Sequence, residues 1–183
     1  MAFPSIVTER LLLREWRDAD VAPFIAINAD PVVMEFFPEL YAEERTRRFV
    51  ERIRERWAEL GYGLWAVERR DTGLFIGYVG LWPATFPAHF TSAVEVGWRL
   101  AADQWGQGYA TEAGRAALTY GFETLGLDEI VSFTSVLNVR SWRVMERLGM
   151  WRDAGGDFGH PNVPEGHRTR AHVLYRFKRE DRT

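Results

Sequence analysis

Cysteine is absent from the 183-residue sequence, and that one absence excludes a disulfide framework, a thiol nucleophile and any cysteine-ligated metal. No apolar run reaches the ~20 residues needed to cross a bilayer. The opening stretch, MAFPSIVTERLLLRE, has neither a basic leader nor the apolar segment of a signal peptide. A soluble, cytoplasmic protein without a membrane partner is expected. Positive charge is not in excess: 23 basic residues against 26 acidic ones give a formal net charge of -3. Nothing global is therefore available to hold a phosphate backbone, and nucleic acid is not an expected partner. The arginine-rich run over 45–56 is interleaved with Glu51 and Glu55 and preceded by Glu43 and Glu44, the pattern of a solvated helix face. Histidine is scarce too. His89, His160, His167 and His172 lack the HExxH spacing of a zinc site, and no metal is expected.

What is there has an ordinary globular balance, with 46% hydrophobic and 27% charged residues. At this length one domain can bury most of its apolar surface, and a single domain over 1–183 is expected. Leu11 and Leu13 alternate into Glu15 as a short strand, and Asp18 and Asp20 stand where carboxylates favour a helix start. Phe49, Val50, Ile53, Trp57 and Leu60 recur at three- and four-residue spacing, an amphipathic helix that stops at Gly61. Extended runs follow: GLWAVER, a turn over 71–73, LFIGYVGLW, and AVEVGWRL. A Gly-rich turn then leads to a helix over about 111–125, a strand IVSFTSV, a short helix from near Ser141 and a last strand RAHVLYRF. The order predicts an α/β fold in which a mixed, largely antiparallel central sheet is flanked by helices. Residues 153–167, rich in Gly, Pro, Asp and His, read as a loop, either beside the site or a surface excursion.

The informative segment is 95–113, EVGWRLAADQWGQGYATEA. Gly106 and Gly108 lie between a strand and a helix, where backbone N–H groups can turn toward an anion at the helix N-terminus. The same glycines also suit a tight turn that binds nothing. A Walker loop needs Lys and then Ser or Thr after its last glycine, but Tyr109, Ala110 and Thr111 follow Gly108. A dinucleotide fingerprint needs a small residue where Thr111 stands and an acid closing the next strand; Asp128 and Glu129 precede that strand instead. Along AVEVGWRL, alternation puts Val94, Val96, Trp98 and Leu100 on a core face and leaves Glu95, Gly97 and Arg99 on an available one.

Four landmarks in order, TERLLLRE, WGQGYATEA, NVRSWRVMERLGM and the final HVLY, make the chain resemble the GNAT acetyltransferases, and within them the RimJ/RimL-like branch, over about 8–177. The resemblance implies acetyl-CoA as donor. Its pyrophosphate would meet the main chain of Gln107, Gly108, Tyr109, Ala110 and Thr111, with Trp105 and Gly106 leading in. Trp105 stands where many members carry Arg or Gln. The pantetheine arm would run beside Val96, Gly97 and Trp98, where a strand amide could stabilise the developing oxyanion. Asn138 would contact the cofactor or order the site, and Ser141 would lie near it; capping the next helix is the other reading of Ser141. Met145 occupies the place of a tyrosine that in many members protonates the departing thiolate. Methionine cannot donate a proton, so the thiolate leaves unaided or Tyr175 or Ser141 supplies one.

An alkyl ammonium, with a reference pKa of about 10.4 for lysine, must lose a proton before its nitrogen can attack a thioester. Glu95 is the candidate general base, the alternative being an exposed strand residue or ion-pair partner. In similar proteins the acceptor pocket is built from the first helices and the loop between the third and fourth strands. Here these supply Met34, Phe36, Phe37, Trp82, Phe86, His89 and Phe90, an aromatic wall that suits a flat acceptor or an amine, or else ordinary core and dimer contact. His160 would shape or polarise that pocket, and His172 reads as a packed strand residue. The functional expectation is N-acetylation of a primary amine by direct attack in a ternary complex, the acceptor being a protein N-terminus, an amino acid or another small amine. Two alternatives stay open: a non-catalytic acyl-CoA sensor, and a structural homodimer whose aromatic loop is the interface.

Overall fold

A computed structural model describes residues 3–181. The chain runs β1 (Ile6–Val7), β2 (Leu11–Arg14), α1 (Val21–Ala29), α2 (Glu43–Leu60), β3 (Leu64–Arg69), β4 (Phe75–Pro83), β5 (Val94–Leu100), α3 (Tyr109–Glu123), β6 (Glu129–Ser135), α4 (Val139–Arg147), β7 (Trp151–Arg152), β8 (Phe158–Gly159) and β9 (Ala171–Lys178). The strands form one sheet in the order β1-β2-β3-β4-β5-β6-β9-β7, with β8 also on β9. Every pairing is antiparallel except β5 with β6. The expected sheet and element order hold. The differences are at the ends: α3 begins two residues earlier than read, α4 begins at Val139, and the supposed loop over 153–167 contains the short strand β8.

The stripe read along α2 is core: Val50, Ile53 and Trp57 are buried against the sheet, while the polar face carries the i,i+4 pairs Glu43–Arg47 and Glu44–Arg48. Phe24 of α1 stacks edge-on to Tyr78, and Phe49 of α2 meets both Tyr78 and Trp82. These two helices therefore cover one face of β2–β5. Helix α3 covers the other face, where Gly121 comes so close to Ile130 and Leu81 that an added Cβ would collide with them.

Opposed residues share a face, so the register decides what surrounds the site. Glu95, Gly97 and Arg99 lie across from Trp82, Gly80 and Tyr78 of β4, and Glu95 lies beside Val131 of β6. That is the α1/α2 face. Arg99 corrects the sequence reading: it is not available to solvent but 5% exposed, because the α1–α2 connection packs down on it. The other buried arginine, Arg14, is also 5% exposed and holds β2 to the start of α1 through Asp20, at 2.7 and 2.8 Å, and Glu68, at 2.7 Å. Bidentate geometry of this kind suits a planar guanidinium.

Candidate active site

Strands β5 and β6 pair only at Val94–Ile130 and Glu95–Val131. Beyond that point they part, and the last tie across the gap is the Ser132 hydroxyl, which donates to the Val96 carbonyl at 2.9 Å. From Gly97 onward the β6-side edge of β5 has no strand partner among the described residues, which leaves main-chain groups free to pair with an extended ligand. Val96, Gly97 and Trp98 flank this opening.

At the far end of β5 the chain turns through a 3-10 turn at Ala102–Gln104 into the glycine turn. Trp105 is fixed there by its indole N–H, which donates to the Leu100 carbonyl at 2.9 Å. Gly106 and Gly108 have φ of 76° and 81°, in the left-handed region that side chains disfavour, and Gly108 opens α3. Among the described residues, none of the N–H groups of Gly106, Gln107, Gly108, Tyr109, Ala110 and Thr111 finds a protein acceptor. Six main-chain donors at a helix N-terminus make an anion cradle. Arg10, which sequence reading passed over, holds the turn from outside: it donates to the Gln107 carbonyl at 2.8 Å and pairs with Glu112. Tyr109 is buried beneath Arg10 and Arg69.

Glu95 stands where the two strands separate. It is half-buried, its carboxylate makes no hydrogen bond or ion pair among the described residues, and burial pushes its pKa up to about 8. The side chain folds along the strand over Gly97, so that Oε1 lies 3.0 Å from where a Cβ on residue 97 would be. Trp82 lies directly across on β4. An unpartnered carboxyl that titrates near neutrality can accept a proton at physiological pH and release it again.

Asn138, not Ser141, caps α4. Its Oδ1 accepts from the Ser141 backbone N–H at 3.3 Å, and its Nδ2 donates to the Thr134 and Ser141 hydroxyls, both at 3.0 Å. Capping was read for Ser141; the amide of Asn138 takes the role because it can accept and donate at once. Ser141 has no histidine partner among the described residues. Met145 is 1% exposed core. Tyr175 donates to Glu146 at 3.3 Å, and burial, with Glu146 adding to it, raises its hydroxyl pKa. Its side chain packs with the core on the α3/α4 face, opposite Glu95.

The aromatic residues read as one wall are divided by the fold. Phe86 and His160 meet at 4.5 Å between ring centres, in a group with Phe90, Phe133, Phe158 and His172. Phe37 lies instead over Arg99, and Trp82 is beside Glu95. Met34 is a main-core residue, Phe90 is buried within the Phe86 group, and His89 is exposed. His172, 9% exposed, is packed as expected. Its partnership with His160 could not be read, because the pairing of Phe158 with His172 across β8 and β9 creates it. Burial, then His172, then Arg170 bring the His160 pKa down to about 4, so the imidazole is neutral at physiological pH. A concavity of about 780 Å³ lies elsewhere: a groove between β1–β2 and α3, with Thr8, Arg10, Thr111 and Arg115 on its walls.

Residues 10–151 match the family model described as Acetyltransferase (GNAT) domain. The chain is 34% identical over 147 residues to the protein YkkB of Bacillus subtilis strain 168, covering 80% of this chain and 84% of that protein. It is 32% identical over 162 residues to the uncharacterized N-acetyltransferase YnaD of the same strain, covering 88% and 89%. The fold superposes on an acetyltransferase of Agrobacterium tumefaciens strain C58 with a TM-score of 0.78, at 30% identity, over 97% of this chain and 95% of that one. The free cradle N–H groups and the parted strands fit the pyrophosphate and the amide-bearing arm of acetyl-CoA. The chain belongs to the GNAT acetyltransferase family and is an acetyl-CoA-dependent acetyltransferase.

Proposed function

We propose that this chain, as one catalytic domain over 1–183 of the RimJ/RimL-like branch, acetylates a primary amine by direct attack, with Glu95 as general base. The observation that carries the reading is the Glu95 carboxyl: unpartnered, at the fork of β5 and β6, with its pKa raised to about 8 by burial. A base is most useful when its pKa lies near the working pH. Acetyl-CoA supplies the thioester. The chain's own part is to hold the pyrophosphate on the N–H groups from Gly106 to Thr111, align the arm along Val96, Gly97 and Trp98, and aim a strand N–H at the oxyanion that develops on attack. Glu95, directly or through one water, takes the ammonium proton. Asn138 orders the start of α4, and Phe37, Trp82, Phe86 and His160 wall the acceptor side.

Attack within a ternary complex is favoured over an acyl-enzyme because the chain has no cysteine and, among the described residues, the Ser141 hydroxyl meets only the Asn138 amide. A homodimer is compatible with the 84–92 loop, where Thr85, Pro87, His89, Thr91 and Ser92 are exposed. The site is consistent with any acceptor of the proposed class: a protein N-terminus, an amino acid or another small amine. The burial of Met145 where many members have a tyrosine supports one alternative, a sensor that binds acyl-CoA without turnover. Thiol release from acetyl-CoA across a panel of amines, run beside CoA binding by thermal shift, separates the two. Release with one amine class supports catalysis; binding without release from any amine supports the sensor.

A further inference from the structure

Two arginines of this protein are equally buried, and only one has counter-ions. Arg14 is enclosed by Asp20 and Glu68, whereas no carboxylate reaches Arg99 among the described residues. Its Nη1 donates to the Asn28 side-chain carbonyl at 2.6 Å, and Asn28 is itself held by Thr46. The rings of Phe37, Tyr41 and Tyr78 surround the guanidinium carbon at 4.2, 5.0 and 5.6 Å. Its Nε–H is buried with no acceptor among the described residues. Burying a charge is costly unless it is paired, and cation–π contacts return only part of that cost. A strap that merely tied α1 to the sheet would be complete as Arg14 is complete.

Arg99 also shares the face of β5 with Glu95, and the Glu95 carboxylate is folded over Gly97 toward it. From Gly97 to Arg99 is about 7 Å along a strand. Tyr78, opposite Arg99, lies within the field of both charges. The glycine cradle begins α3, which packs on the other face of the sheet, so the donor's pyrophosphate does not serve Arg99. Resting on the proposed role of Glu95, we infer that Arg99 is a specificity residue that binds a carboxylate of the acceptor. The acceptor class is then an amine with its carboxylate several bonds away, the amine toward Glu95 and the carboxylate inside the collar of Phe37, Tyr41 and Tyr78.

The test compares kcat/KM for glycylglycine, δ-aminovalerate and ε-aminocaproate, each beside its primary amide, in wild type, Arg99→Lys and Arg99→Gln. The wild type is expected to prefer at least one acid over its amide by about 10-fold or more, the scale of a hydrogen bond to a charged group. Arg99→Lys keeps part of that ratio and Arg99→Gln erases it, with CoA affinity unchanged. The ratio within a pair cancels any general damage to folding, and the wild-type ratio stands even if a variant fails to fold. Acids and amides used equally by the wild type, or a ratio that survives Arg99→Gln, overturn the inference while leaving Glu95 in place. If the protein binds CoA but acetylates no member of either column nor any simple amine, the catalytic reading itself fails.

Discussion

The Glu95 carboxylate occupies the space that a side chain on residue 97 would fill, with Oε1 3.0 Å from an ideal Cβ there. The lack of a side chain at residue 97 leaves room for that carboxylate. Gly97→Ala is therefore expected to push the carboxylate aside by a few tenths of an ångström without disturbing the backbone, which is extended at this point. The expected loss is up to about 10-fold in kcat, a fraction of the ~100-fold that a ~1 Å misplacement of a reacting group costs, with the affinity for CoA little changed. Steady-state kinetics beside a CoA thermal shift checks both halves.

The cradle makes a separate prediction. Gly108 has a φ of 81° and opens α3, so Gly108→Val places a β-branched side chain in a left-handed conformation that costs about 1–2 kcal/mol. CoA-induced stabilisation should vanish while the folded circular dichroism signal persists. Tight CoA binding by this variant would contradict the placing of the pyrophosphate.

Buried ionisable groups give stability two opposed pH windows. His160 is held neutral, with its pKa lowered to about 4 mainly by burial. Between its unfolded value of ~6.5 and about 4 the unfolded chain binds the extra proton, so this contribution is lost as pH falls through that range. Glu95 works the other way. Its raised pKa means the folded state holds a proton that the unfolded state has released, and stability is lost as pH rises from 4.5 toward about 8. Thermal unfolding from pH 4 to 9 should show His160→Phe flattening the acid limb and Glu95→Gln flattening the alkaline one.

The Arg14 cluster is structural, and its loss should be visible in stability alone. Asp20→Ala removes both bonds to one edge of a guanidinium that is 5% exposed, a change that costs about 3–5 kcal/mol when a buried pair is broken. A denaturant midpoint unchanged from wild type would show that Glu68 alone suffices.

Local patterns carried much of this fold. The turn over 71–73 between two apolar runs placed the β3–β4 hairpin, and the alternation along 93–100 put Glu95 and Gly97 on one face and Val94 and Val96 on the other. The glycine turn stood out because strand, glycines and helix are contiguous. Non-local features were hidden. Arg99 looked available because alternation says which face a side chain takes, not what later packs on that face. The cap of α4 went to Asn138 because an amide can satisfy Thr134 and Ser141 together, a relation that depends on where β6 ends. Strands β1, β7 and β8 have two residues each, too few for any periodicity, and only their partners define them.

The most direct measurement is the pH dependence of kcat for acetyl transfer in wild type and Glu95→Gln, at saturating acetyl-CoA and amine, where kcat reports groups in the bound complex. The wild-type rate is expected to rise with pH and level off above about 8, the value to which burial lifts Glu95. Glu95→Gln should lower turnover at neutral pH by ~100-fold or more, lose that inflection and bind CoA as before. An unchanged rate and profile in Glu95→Gln would contradict the assignment of the base.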